Sequence, residues 1–273
     1  MNYVRPAQVA GYFYPSNPDK LRKDLNLLLD VTKPKEKFER IFGIVAPHAG
    51  YVYSGKTAAH AYNLLIGKKF KRVVIISPSH SEYFPGVCIF EGDAYETPLG
   101  MLKVDKEFRE KLETADGIIF IGFEGYRREH ALEVQLPFLQ SVLEDFRIVP
   151  VVMGDQSRRN VDALAKKLSE VADDETLIVA SSDLSHFHSK TQADKLDSIV
   201  EKRVREFDFD SLQHDLDNNN CEACGGGPIV VLMKAARLKN IRHSMVLHRS
   251  DSGDVTGDNR EVVGYLSAVV YGD

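Results

Sequence analysis

The sequence is poor in cysteine, has no long apolar run and carries no excess of positive charge. Its three cysteines, Cys88, Cys221 and Cys224, are too few and odd in number for a disulfide framework in a chain of 273 residues. The first residues lack the apolar stretch of a signal peptide, and no apolar run approaches the roughly 18 residues of a membrane-spanning helix. These absences predict a cytoplasmic protein with reduced thiols and no membrane partner.

The charge balance argues against nucleic acid as a partner. Thirty-five basic residues stand against 40 acidic ones, so the formal net charge is −5 and a polyanion would be repelled. A chain of this length buries enough surface to fold without a metal ion. Any bound metal is therefore expected to have a functional rather than a structural role.

Short runs of β-branched and apolar residues alternate with helical patterns. Runs without polar alternation are typical of strands buried on both faces of a parallel sheet, and their alternation with helices predicts an α/β fold. The predicted strands cover residues 41–46, 72–77, 147–152 and 177–181, and the predicted helices cover residues 19–29, 54–65, 128–143, 157–171 and 191–207. We expect one domain over residues 1–273, with a central, mostly parallel or mixed sheet flanked by helices.

Two segments depart from this alternation. Residues 86–90 and 101–104 look like an antiparallel pair of strands that departs from the parallel repeat. Residues 243–249 and 262–271 look like a closing hairpin around the Gly- and Asp-rich residues 251–259.

Titratable side chains follow three of the predicted strands. His48 follows the first strand, His80 follows the second, and Asp183 and His186 follow the strand that ends at residue 181. Ligands of open α/β sheets bind at the carboxyl ends of strands, so we expect these groups to meet, with the ends that bear His48 and His80 as neighbours. Two imidazoles and one anionic ligand make a metal site with open positions. The anion is Asp183, Glu133 or a thiolate.

Cys224 is the better placed thiol. It precedes a predicted helix in which Pro228 suits the first turn, and a helix N-terminus stabilises a thiolate. Cys221 and Cys224 also form a Cys-x-x-Cys pair, but a zinc ribbon needs a second pair and a redox motif usually follows an early strand.

His130 and Glu133 are spaced to share one face of the predicted helix over residues 128–143. In one pocket, His130 would orient a substrate or relay a proton, and Glu133 would set its tautomer or support a metal ligand. The alternative is an exposed pair on a solvated helix.

Residues 50–57 match the P-loop pattern, with Gly50 five residues before Gly55-Lys56-Thr57. Tyr51 and Tyr53 occupy positions where close phosphate approach needs small residues, which argues against a nucleotide site. Ser54 is expected to cap the following helix instead.

Five segments in this order resemble the Memo family. They are Pro47-His48-Ala49-Gly50-Tyr51-Val52-Tyr53-Ser54-Gly55, Ser77-Pro78-Ser79-His80, His130-x-x-Glu133, Ser181-Ser182-Asp183-x-x-His186 and Cys224-Gly225-Gly226-Gly227-Pro228-Ile229. The resemblance implies the fold of the class III extradiol dioxygenases, whose non-haem iron is held by two histidines and a carboxylate.

The resemblance also assigns roles. His48 and His80 would be the imidazole ligands, Cys224 the third ligand, and His186 the acid/base residue beside the metal. Asp183, His130 and Glu133 would line the same cleft. A thiolate in place of a carboxylate favours softer or redox-active metals, so Fe(II) or copper is expected. The family further implies phosphotyrosine-peptide signalling in animals, and AMMECR-type and radical SAM partners in prokaryotes.

Three functions fit these residues. The first is a metal-dependent oxidoreductase of dioxygenase type in which His186 moves protons. The second is a module that captures a peptide or a small ligand without a metal, with Tyr51, Tyr53 and His130 as walls. The third is a metal-free hydrolase that uses Cys224, His186 and Asp183.

Overall fold

Helices and strands alternate along most of the chain, as the apolar runs predict. The structure is a computed structural model that describes residues 3–34 and 36–273. Its strands are β1 (Val4–Arg5), β2 (Arg40–Ala46), β3 (Arg72–Pro78), β4 (Val87–Phe90), β5 (Ala94–Thr97), β6 (Gly100–Lys103), β7 (Ile119–Gly122), β8 (Arg147–Met153), β9 (Thr176–Ser181), β10 (Asp183–His188), β11 (His243–Asp251) and β12 (Val262–Gly272). Its helices are α1 (Pro18–Val31), α2 (Tyr51–Tyr62), α3 (Lys106–Leu112), α4 (Gln135–Val142), α5 (Arg158–Val171), α6 (Lys190–Arg205), α7 (Phe209–Asp217), α8 (Gly226–Leu238) and α9 (Gly253–Thr256).

A mixed sheet organises the fold. Within the described residues, nine strands pair in the order β10-β12-β2-β9-β3-β8-β4-β7, with β11 beside β12. The central strands β2, β9, β3 and β8 are mutually parallel, whereas β12 runs antiparallel to β2. Strands β1, β5 and β6 form a separate small sheet. The predicted α/β class with a mixed sheet and flanking helices is confirmed, and one domain over residues 1–273 stays a prediction.

The central strands are buried on both faces because their apolar residues alternate between two cores. In β3, Val73 and Ile75 pack into one core and Val74 and Ile76 into the other, all of them fully buried. Full burial of each such side chain contributes roughly 1.5–3 kcal/mol. The carboxyl ends of these strands are therefore held on a rigid platform. No helix in the described part of the chain is long and apolar enough to cross a membrane.

The helix predicted over residues 128–143 is wrong in its first half. Helix α4 begins only at Gln135, and residues 123–134 follow an irregular path. Pro137 is tolerated in a first turn, but its ring would clash with the carbonyl of residue 133 inside a longer helix. The carboxylate of Glu129 also accepts the backbone N–H groups of His130 and Ala131. His130 and Glu133 therefore do not share a helix face.

Three other boundaries differ from expectation. Asp183 and His186, which follow the strand that ends at residue 181, lie on a further strand, β10, antiparallel to β12. Strand β4 pairs with β7 and β8, whereas β6 pairs with β5 in the small sheet. The two segments therefore belong to different sheets and do not form the antiparallel unit that the sequence predicts. Helix α2 begins at Tyr51, and Ser54 lies within it and donates to the carbonyl of Ala49. The closing hairpin is confirmed as β11 and β12.

Candidate metal centre

Two histidines meet above the carboxyl ends of the central strands. His48 lies two residues beyond β2, and His80 lies two residues beyond β3. The prediction that these two strand ends are neighbours is wrong, because β9 lies between β2 and β3. The loops nevertheless cross that gap, and the imidazole centroids are 5.1 Å apart with the rings nearly perpendicular.

Cys224 reaches the same point from the turn before α8. Its Sγ lies 3.2 Å from His48 Nε2 and accepts the backbone N–H of Asp183 at 3.2 Å. The turn passes close to β9, since a Cβ on Gly225 would lie 2.1 Å from the carbonyl oxygen of Ser181. Glycine at this position is what allows the approach. One donor atom each from His48, His80 and Cys224 lies within 4.8 Å of the other two.

The hydrogen bonds around His48 determine which ring nitrogen is free. Ser181 Oγ donates to the carbonyl of Ala131 at 2.7 Å, so its single proton is used. His48 Nδ1, 2.9 Å from that oxygen, must therefore carry the proton and donate it. Burial, then the neighbouring His80 and His130, lower the pKa of His48, so its ring is neutral. Its Nε2 lone pair thus faces Cys224.

His80 is oriented by Glu129, a residue that the sequence interpretation missed. One carboxylate oxygen lies 2.9 Å from His80 Nδ1, and the other accepts the backbone N–H of His80 at 2.7 Å. Burial lowers the pKa of His80, but the hydrogen bond and charge of Glu129 outweigh it and raise the pKa overall. A carboxylate is only an acceptor, so Nδ1 carries a proton and Nε2 is the ring nitrogen left for a metal ion. The sequence feature that could have revealed this role is the position of Glu129 directly before His130.

Asp183 contacts both His48 and Cys224. Its Oδ1 accepts the backbone N–H of His48 at 2.7 Å, and its Oδ2 lies 3.9 Å from His48 Nε2. Burial raises the pKa of Asp183 to about 7, against the opposing effect of the backbone N–H groups that it accepts. Burial and the charge of Asp183 also raise the pKa of the Cys224 thiol. Without a cation the thiol is therefore protonated.

His130 and His186 complete the surroundings of the three donors. The ring of His130 stacks on His80 at 4.9 Å and also contacts the ring of Phe13. His186, on β10, is half-buried and forms, with Cys224, part of the wall of a cavity of about 420 Å³. Burial lowers the pKa of His186, which leaves a neutral imidazole at pH 7.

The carboxylate of Glu133 is hydrogen-bonded to the N-terminal segment. It is fully buried and accepts hydrogen bonds from Arg5 Nη1, the Tyr14 hydroxyl and the backbone N–H groups of Gln8 and Val9. These contacts fix the N-terminal segment, so a role for Glu133 in chemistry stays a prediction. Tyr51 is also buried, with its hydroxyl on the carbonyl of Val134.

The donors fit a transition-metal ion. One ring nitrogen from each of His48 and His80 and the sulfur of Cys224 lie within 4.8 Å of one another, and the Nδ1 atom of each histidine has a hydrogen-bond partner, as is usual for metal-bound histidine. Imidazole and thiolate suit iron, copper and zinc rather than the oxygen-seeking Mg²⁺ or Ca²⁺. A second group, formed by His80, Glu129 and His130, also lies within 4.8 Å but uses Glu129 atoms already bonded to backbone N–H groups.

Comparison with known proteins finds relatives that match most of this chain. The family model described as Memo-like protein matches residues 5–269. A MEMO1 family protein of Methanocaldococcus jannaschii is 36% identical over 287 residues, covering 99% of this chain and all of the relative. One of Thermoplasma volcanium is 37% identical, covering 97% of this chain and 98% of the relative. The solved structure of an uncharacterized protein from Escherichia coli K12 superimposes with a TM-score of 0.57 at 14% identity, covering 85% of this chain and all of that one.

Proposed function

This chain belongs to the Memo family, and from that premise we propose that His48, His80 and Cys224 hold one redox-active ion, Fe(II) or copper, in an oxidoreductase. The observation that carries the proposal is that one ring nitrogen from each of His48 and His80 and the sulfur of Cys224 lie within 4.8 Å of one another, with both Nδ1 atoms already hydrogen-bonded. Such an ion would supply one-electron chemistry with dioxygen. The substrate is a small molecule or a peptide.

The residues around the three donors have different roles in this proposal: some orient the imidazoles, one accepts a proton and one positions the substrate. Ser181 and Glu129 hold the two imidazoles in the coordinating orientation, so little reorganisation accompanies metal binding. His186 is neutral and borders the cavity, which suits a group that accepts a proton from a substrate. His130 stacks beside His80 and would position the substrate. Metal binding must displace the Cys224 proton, so metal affinity is expected to rise with pH.

The metal-free hydrolase is less favoured. The pKa of Cys224 is raised by burial and by Asp183, whereas a cysteine nucleophile needs a lowered pKa. Capture of a peptide without a metal remains as the contrasting outcome of the experiment below.

The test is element analysis of anaerobically purified protein. We expect near-stoichiometric iron or copper in the wild type and its loss in His48→Ala, His80→Ala and Cys224→Ala. His60→Ala and Cys88→Ala are the matched controls, since His60 stacks on His248 and Cys88 lies in β4, and both should retain metal. Ser181→Ala should bind metal about 10- to 100-fold more weakly.

Activity is tested separately by oxygen consumption with catechols and thiols. His186→Gln should keep the metal and lose turnover. Absence of metal even after anaerobic reconstitution with Fe(II) or Cu(I) would refute the metal centre and favour ligand capture. Bound metal without oxygen consumption would refute the oxidoreductase alone.

A further inference from the structure

The turn that carries Cys224 has few side chains of its own to hold it in place. Gly225 is the N-cap residue of α8, so the helix begins without a capping side chain of its own. The first amides of a helix have no partner inside it, and they must find acceptors elsewhere. Residues outside the turn therefore decide where Cys224 lies.

On one side, the chain between β9 and β10 provides partners for the turn. The N–H of Gly225 donates to Ser182 Oγ at 2.9 Å, and the N–H of Cys224 donates to the carbonyl of Asp183 at 3.2 Å. These bonds hold two amides of the turn. They do not involve the carbonyl of Cys224 or the N–H of Gly227.

Gln156, in the loop after β8, binds both of these groups from the other side. Its Nε2 donates to the carbonyl of Cys224 at 2.8 Å, and its Oε1 accepts the N–H of Gly227 at 2.7 Å. The two bonds fix the orientation of the amide, because the carbonyl needs a donor and the N–H needs an acceptor. One side chain thus bridges the turn and caps α8 from another element.

The contact between Gln156 and the turn requires glycine at position 227. A Cβ on Gly227 would lie 2.8 Å from Gln156 Oε1 and 2.9 Å from Gln156 Cβ. The loop is itself held, because the carboxylate of Asp155 accepts the N–H of Ser157 at 2.9 Å and Asn160 Nδ2 at 3.1 Å. It follows β8, which pairs with a strand on each side. A well-held loop therefore sets the position of the amide.

We propose that Gln156 is a positioning residue for Cys224, whose amide holds the turn so that the thiol sulfur faces His48 Nε2. That sulfur lies 3.2 Å from the nitrogen, and Gln156 binds the carbonyl of the same cysteine. As a statement about a metal ligand the proposal rests on the proposed function. The position of the thiol itself can be tested without a metal ion.

Gln156→Met tests the role in chelator-treated protein, since methionine keeps the length of the side chain and removes the amide. We expect iodoacetamide to alkylate Cys224 about fivefold or more faster than in the wild type, because two lost hydrogen bonds make the turn easier to open. Buried Cys88 is the internal reference, and Gln192→Met, at an exposed glutamine, is the matched control. An unchanged alkylation rate in Gln156→Met would refute the positioning role.

Titration with Co(II) then tests whether the position of the thiol matters to a metal ion. The wild type should show a sulfur-to-cobalt charge-transfer band. Gln156→Met should bind Co(II) about 10- to 100-fold more weakly and show a weaker band per bound ion, which a general loss of stability would not produce. Gln192→Met should match the wild type. Wild-type affinity and a wild-type band in Gln156→Met would overturn the proposal.

The two experiments separate this proposal from the proposed function. A wild type that takes up no Co(II) would count against the metal centre. Faster alkylation of Cys224 in Gln156→Met would still support the positioning role in that case, because the alkylation is measured without metal.

Discussion

Single residues around the candidate site determine which nitrogen of each histidine ring carries the proton. His48 and His80 are oriented for a metal because Ser181 Oγ and the Glu129 carboxylate each accept a hydrogen bond from Nδ1. Ser181 also accepts from Gln135, whose carbonyl oxygen accepts the hydroxyl of Tyr62. The orientation of one ligand is therefore set by a buried chain of hydrogen bonds three residues deep.

One buried acid should make stability depend on pH. Burial raises the pKa of Asp197 from 3.8 to about 6, although its Oδ1 accepts the backbone N–H of Ser185 and Arg249 opposes the shift. A raised folded-state pKa contributes stability that is complete below about pH 4 and is lost as the pH rises through 6. Asp197→Asn should therefore gain stability relative to the wild type over that range, by up to about 3 kcal/mol.

Urea unfolding at pH 4, 5, 6 and 7 measures this difference. Asp194→Asn is the control, because Asp194 lies on the same helix with an exposed carboxylate paired to Arg249. A difference between Asp197→Asn and the wild type that stays constant with pH would contradict the assignment.

At the scale of elements, the irregular stretch before α4 determines the site more than any helix does. Residues 123–134 present Glu129 and His130 to the ligands on one side and Glu133 to the N-terminal segment on the other. That segment in turn places Phe13 against His130. Loops can hold several functional groups in this way because a rigid sheet fixes both of their ends.

The buried pair of Arg5 and Glu133 should anchor the N-terminal segment. Both side chains are almost fully buried, at 4% and 0% exposure, and the nitrogen–oxygen distance is 2.8 Å. Glu133→Gln would leave Arg5 without its counter-charge, and loss of one partner of a buried pair costs about 3–5 kcal/mol.

The measurement is urea unfolding combined with limited proteolysis of the native state. We expect a lower free energy of unfolding and faster cleavage near residues 5–14, while Glu144→Gln on an exposed position stays near wild type. Wild-type stability in Glu133→Gln would show that the pair does not anchor the segment.

For the whole molecule, the two cores on either side of the sheet are independent of the proposed metal site. The proposed ligands lie in loops and a turn at the carboxyl ends of the strands, whereas the cores consist of apolar side chains from the strands and helices. Removal of metal should therefore leave the fold intact. Metal that binds only the native state adds stability by mass action, about 2.7 kcal/mol at a hundredfold excess over Kd.

Chelator-treated protein should keep its far-ultraviolet circular dichroism spectrum and unfold cooperatively on heating. Its midpoint should rise with added Fe(II) or Cu(I), and His80→Ala should show no such rise. Loss of cooperative unfolding on chelation would instead make the metal structural.

The sequence alone determined the α/β class, the central strands, the closing hairpin and the two histidines that converge, because buried strands and strand-end histidines leave local patterns. Those patterns left the third donor open between Asp183, Glu133 and a thiolate, and only the family resemblance selected Cys224. The sequence could not determine that β9 lies between β2 and β3, that residues 128–134 are not helical, or that Glu129 rather than Glu133 orients a ligand. Those features depend on which distant groups accept each buried proton and carboxylate. Spacing along a chain does not record such partners, so only the tertiary structure decided them.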